Sequence, residues 1–180
     1  MRSLIIVTAA LALTACQAKD DTKTESAEAP VTAGAPATTA ALTTMPTAAL
    51  SGADAVAAQK LRHDKFEAMG DAMKALSREA KAATPDMPTV QKNAAVLASS
   101  SAVLPSWFAP GTGPDAGKTE AKAEIWKTPD DFAAKAKEFH AVAQSLNDAA
   151  TAGDATAFKA AMGPTGKACK SCHDSYRAED

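Results

Sequence analysis

Between Ala53 and Ala83 the apolar residues keep a helical period. Phe66, Met69, Met73, Leu76 and Ala80 recur at alternating spacings of three and four, which gathers them on one face of a helix. Arg62 stands one turn before Phe66 on the same stripe. The pattern stops at "TPDMP", where two prolines break it, and Pro88 suits the first turn of a second helix. That helix runs to about Leu104 with Val90, Ala94, Leu97 and Ser101 facing inward. A third opens at "TPDD": Thr128 as N-cap, Pro129 at the first helical position, and Asp130 and Asp131 at the positive helix end. Its stripe is Phe132, Phe139, Val142 and Leu146. Asp154 caps a fourth helix, which carries Phe158, Met162, Cys169, Cys172, His173 and Tyr176, and Pro164 beside Gly163 predicts a kink or break within it. No strand pattern or internal repeat interrupts the series. The expected fold is therefore all-α, an antiparallel four-helix bundle.

Composition narrows what such a bundle encloses. The chain is 46% hydrophobic, but alanine swells that figure, and aromatic residues make up only 4%. A core of this kind favours close-packed helices and leaves a place for a large group that is not protein. The connection "PSWFAPGTGPDAGKTEAKAEIW" is long and dense in Pro and Gly; Trp107, Phe108, Ile125 and Trp126 predict that it folds back over the core. A net charge of −2 gives no electrostatic case for nucleic acid.

The N-terminal third reads differently. Arg2, a short apolar run from Leu4 to Leu13 and then Leu13-Thr14-Ala15-Cys16 have the layout of a secretory signal, with a run too short to span a bilayer. The pattern resembles a bacterial lipoprotein signal cleaved before Cys16, which would then carry lipid; the alternative is an ordinary signal cut elsewhere with an incidental cysteine. Residues 16–52 are rich in Ala, Thr and Pro, contain no aromatic residue, and read as a disordered tether. The expected organisation is a signal over 1–15, a tether over 16–52 and a bundle domain over 53–180. The mature chain is expected on the periplasmic side, anchored through Cys16, and Gln17 rather than Asp after that cysteine favours the outer membrane by resemblance to known sorting behaviour.

The densest chemistry lies in "CKSCHDSYR". On a helix Cys169, Cys172 and His173 fall at i, i+3 and i+4, so two sulfurs and an imidazole emerge from one face. Zinc would need a fourth ligand, and no second cysteine pair supplies one. A redox Cys-x-x-Cys belongs at a strand-to-helix junction, which an all-helical chain lacks. A disulfide across i, i+3 would leave His173 unexplained. Covalent c-type haem attachment uses all three groups, with thioether bonds to Cys169 and Cys172 and His173 on the iron. His63 and His140 are each set about 100° from a stripe residue and are expected on the surface. Tyr176 is expected to pack with its hydroxyl bonded. No nucleophile with a base, paired carboxylates or phosphate loop is present, so the chain does not read as an enzyme.

With "RHDKFEAMG" on the first helix and "WFAPGT…EIW" in the middle connection, this C-terminal motif resembles cytochrome c′ over about Asp54 to Arg177. The resemblance implies one covalent haem c in the bundle, with His173 as the only protein ligand to iron and an open distal face. It implies that Arg62 pairs with a haem propionate, that Arg177 lies near the proximal face, and that Phe66, with Met69 beside it, covers the iron. In six-coordinate relatives of the c-556 type a methionine stands four residues after the propionate arginine; here that position is Phe66. A distal pocket of Phe66, Met69 and alkyl groups offers no hydrogen-bond donor, which suits NO or CO better than dioxygen. The implied function is binding of NO or CO with electron transfer as a less specific role, and the implied assembly is a homodimer through the first two helices. The rivals are a six-coordinate electron carrier with Met69 on the iron and a structural lipoprotein with a Cys169–Cys172 disulfide.

Overall fold

A computed structural model describes residues 42–179. The expected signal over 1–15, Cys16 and most of the expected tether lie outside the described residues. Four long helices form the domain: α1 (Gly52–Lys81), α2 (Met87–Val103), α4 (Pro129–Thr151) and α5 (Ala155–Tyr176), with a one-turn α3 (Glu124–Lys127) in the long connection. α1 packs on α2, α2 on α4 and α4 on α5, and a sparser contact between α1 and α5 closes the ring. No strand forms among the described residues, only an isolated bridge between Ala121 and Arg177. The bundle is antiparallel and all-α, as the periodicity requires.

Local chemistry sets the helix boundaries. The Asp86 side chain accepts from Thr89 N–H, with Pro88 in the first turn of α2. Asp154 accepts from the N–H groups of Thr156 and Ala157 and so starts α5. Thr128 flanks α4 as expected, but its hydroxyl bonds to Glu124 O and the Tyr176 hydroxyl instead of capping.

The core holds the predicted stripes. Val90, Ala94, Leu97 and Ser101 are buried on α2, and Phe132, Phe139 and Leu146 on α4, with Val142 partly covered. Alanines do much of the inner packing: Ala94 and Ala98 on α2 and Ala136, Ala143 and Ala150 on α4 are all buried. Methyl groups at a helix contact let the axes approach to about 8 Å, the near end of the usual range.

Three expectations need correction. α5 runs unbroken from Ala155 to Tyr176 with Pro164 inside it, so of the expected kink or break the break does not form; the fully buried Phe158 and Thr165 and the buried Ala168 and Tyr176 anchor both sides of the proline, and packing on α4 outweighs the lost backbone bond. His140 is buried, with Nδ1 2.9 Å from the fully buried Ser101 hydroxyl. α4 lies between α2 and α5 and so hides a wider arc than one stripe, and His140 falls within it. His63 is exposed and faces Glu67 at 3.6 Å. Finally, residues 42–51, expected in the tether, form a strap laid on the bundle. Thr43 N–H donates to Ala102 O at 2.9 Å, Leu50 N–H donates to Pro110 O at 2.8 Å, and Leu42 and Met45 pack against the core.

The connection between α2 and α4 is folded back as predicted. The Trp126 indole donates to the carbonyls of Phe108 and Ala109, each at 3.1 Å. Lys122 N–H donates to Tyr176 O at 2.9 Å and Ala178 N–H to Glu120 O at 2.7 Å, tying the connection to the end of α5.

Candidate functional site

The last two turns of α5 carry Cys169, Cys172 and His173. Both cysteines are free thiols, so the disulfide alternative is not formed. Both are partly buried against the core, while His173 is exposed. Burial raises the pKa of Cys169, and it pushes Cys172 up to about 11 with a small opposing effect from the Lys135 charge. The His173 imidazole is shifted down, first by desolvation and then by the Arg177 charge, which favours the neutral form that binds a metal. Among the described residues no three His, Cys, Asp or Glu side chains converge as ligands of a bare metal ion, so zinc lacks its donor set.

Around this motif the end of α5 is fixed by side chains from other elements. Tyr176 is buried, its ring meets Phe132 edge-on at 5.3 Å, and its hydroxyl donates to Asp131 at 2.5 Å. Arg177 leaves the helix with its N–H on His173 O at 2.9 Å, and its Nε donates to Glu120 at 2.9 Å. A surface cavity of about 330 Å³ lies beside His173, lined by Lys122, Asp174, Arg177 and the C-terminal residues.

On α1, Ala55, Gln59, Arg62, Phe66 and Met69 follow one another at spacings of four and three along the inward side. Met69 is buried in the core cluster and Phe66 is partly buried against it. The Phe66 ring meets Trp107 edge-on at 5.6 Å and Phe108 at 6.2 Å. Arg62 is only 3% exposed. Its two terminal nitrogens donate to Trp107 O, to the Thr112 hydroxyl and carbonyl, and to the Thr119 hydroxyl, at 2.9–3.3 Å. Its guanidinium also lies over the Phe108 ring at 4.8 Å. No carboxylate pairs with it among the described residues, and desolvation alone lowers its pKa to about 10. A buried cation without a counter-charge is incomplete, and an anionic group would relieve it.

The structure thus brings Arg62, Phe66 and Met69 together on α1 and Cys169, Cys172 and His173 together on α5, with Arg177 just past its end. Sequence reasoning missed Gln59, Thr112 and Thr119. Gln59 donates to Gly113 O at 2.7 Å, and it could have been found by extending the α1 stripe backward from Arg62. The two threonines carry no periodic signal, because the connection that presents them is irregular.

The donor set fits covalent haem: two unpaired thiols one helical turn apart, an adjacent imidazole, and a sparsely packed seam between the helix that bears them and the helix that bears the uncompensated arginine. An antiparallel four-helix bundle with this donor set defines a class, the bundle-type c-type cytochromes. Comparison with known proteins narrows it: the family model for cytochrome c′ matches residues 57–177, and the chain belongs to the cytochrome c′ family. It is 40% identical to cytochrome c′ of Pararhodospirillum photometricum over 116 residues, covering 64% of this chain and 92% of that one. It is 35% identical to cytochrome c′ of Rhodospirillum rubrum over 140 residues, covering 78% and 93%. A solved nitric oxide complex of a cytochrome c prime mutant from Alcaligenes xylosoxidans is similar at a TM-score of 0.64 and 31% identity, covering 72% of this chain and 100% of that one. The cofactor of this family is one covalently bound haem c with its iron.

Proposed function

We propose that the protein binds NO and CO on a haem held by thioether bonds to Cys169 and Cys172, with His173 as the only protein ligand to iron. The haem supplies an iron with one open coordination position. The observation that carries the reading is Phe66. It occupies the place, four residues after Arg62, where a ligating methionine would stand, and Trp107 and Phe108 hold its ring edge-on. Phenylalanine has no lone pair to donate, so Phe66 covers the open face without filling it. Phe66 and Met69 present no hydrogen-bond donor, which disfavours dioxygen relative to NO and CO. The nitric oxide complex of the Alcaligenes relative is consistent with this preference. Arg62, already held by the connection, offers its remaining Nε–H to a propionate. Electron transfer is a second role that the same centre can serve. Cys16 is lipidated in this reading, and the domain works on the periplasmic side of the membrane that the lipid enters.

The ferrous protein should give a high-spin absorption spectrum and bind CO, and Phe66→Ala should speed CO association by opening the covered face. A low-spin spectrum that turns high-spin on Met69→Leu would assign Met69 to the iron and make the protein an electron carrier.

A further inference from the structure

Residues 42–51 precede the stretch 57–177 that matches the family. Their polar contacts reach the end of α2 and the connection that follows it. Thr43 grips Ala102 O through its N–H at 2.9 Å and its hydroxyl at 3.2 Å. Leu50 N–H donates to Pro110 O at 2.8 Å, and the Leu50 carbonyl lies so close to Gly111 that a Cβ there would meet its oxygen at 2.0 Å. Gly111 has φ +81°, so it turns the chain in a conformation that other residues rarely adopt. Pro110 and Gly111 come directly after Trp107-Phe108-Ala109, and the rings of Trp107 and Phe108 meet Phe66. From the bundle side, Arg62 holds the same connection at Trp107 O and Thr112. The connection that carries the neighbours of Phe66 is therefore held from two sides, by the guanidinium at Trp107 and Thr112 and by the strap at Ala102 and Pro110, on either side of the two rings.

We infer that the strap is a positioning element for the ligand face: by bracing residues 105–111 it keeps Trp107 and Phe108 against Phe66 and so limits how fast a diatomic ligand enters. The inference rests on Phe66 covering that face, as proposed above. The Phe66 ring packs edge-on against the rings of Trp107 and Phe108, and packed rings rearrange together. A segment that loses a hydrogen bond and an apolar contact opens more often, and entry through a gate scales with the time it is open.

The test uses the haem-loaded full-length protein. Met45→Glu puts a charge into the strap's contact with the core, Leu50→Pro removes the N–H given to Pro110, and Met45→Leu is the conservative control. Hydrogen exchange at the amides of residues 107–112 reads the brace, and mixing the ferrous protein with CO reads entry. Both disruptive variants should exchange faster and associate with CO about fivefold to tenfold faster, as expected if the face is open a tenth to a fifth of the time when braced. CO dissociation should speed by a similar factor, since the ligand leaves through the same gate, while the ferrous spectrum should not change and Met45→Leu should behave as wild type. Faster exchange with unchanged CO association overturns the positioning role, and unchanged exchange in both variants overturns the brace itself. A wild-type protein that binds no CO refutes the proposed function and the entry role with it, while the exchange measurement still decides whether the strap braces the loop.

Discussion

The Cys172 thiol is held near pKa 11, mainly by burial, against an ordinary value of 9.0. At pH 8 in the haem-free protein its thiolate fraction is about a hundredfold below that of an ordinary thiol, so alkylation by iodoacetamide should be slowed by a similar factor and should recover on unfolding. The sign of the linked stability follows. The unfolded thiol ionises near pH 9 and the folded one near pH 11, so this contribution is fully present below about pH 9 and is lost as pH rises through about 11. The urea midpoint of the haem-free protein should fall over that window, and the fall should be smaller in Cys172→Ser. An unchanged midpoint from pH 8 to pH 11 would contradict the buried placement. At this scale Cys169, Cys172 and His173 were legible because their spacing alone puts them on one helix face. The partners of Arg62 were not: Thr112 and Thr119 are 50 and 57 residues away in the chain, and no local rule links them.

At the level of elements, the start of α5 was legible because it is chemical, Asp154 capping with its own carboxylate, whereas the cap of α2 is Asp86, beside the expected Pro88, and Thr128 at the start of α4 does not cap. The break expected at Pro164 was local reasoning overruled by packing, since a helix anchored by buried residues on both sides of a proline tolerates the missing bond. Replacing that proline restores a donor without disturbing the contacts. Pro164→Ala should therefore stabilise the haem-loaded protein by about 1–3 kcal/mol, read as a rise in thermal midpoint. A lower midpoint would show that Pro164 serves α5 in its present form. His140 was misplaced for a related reason, because a single stripe underestimates the buried arc of a helix flanked by two others.

For the whole molecule, the boundary between tether and domain was the least legible feature. Residues 42–51 share the Ala, Thr and Pro composition of the segment before them, yet the side chains of Leu42 and Met45 and the backbone N–H groups of Thr43 and Leu50 seat them. What precedes them bears on where the protein works. Cys16→Ser should release the protein from the detergent-extractable fraction or stall its processing, as seen by fractionation and N-terminal mass. A wild-type protein that is fully soluble with an N-terminus other than residue 16 would remove the anchor from the reading.

The strap has one more consequence, and it concerns direction. Thr43 bonds to Ala102 near the end of α2, and Leu50 meets the connection that also receives the C-terminal end of α5. The bundle is thus a two-ended object in which the chain's point of departure, the folded-back connection and the Cys-x-x-Cys-His turn crowd one pole. Among the described residues, the opposite pole holds the turns around residues 82–86 and 152–154. That pole is therefore the place for a label or a solid support that leaves the Cys-x-x-Cys-His end untouched.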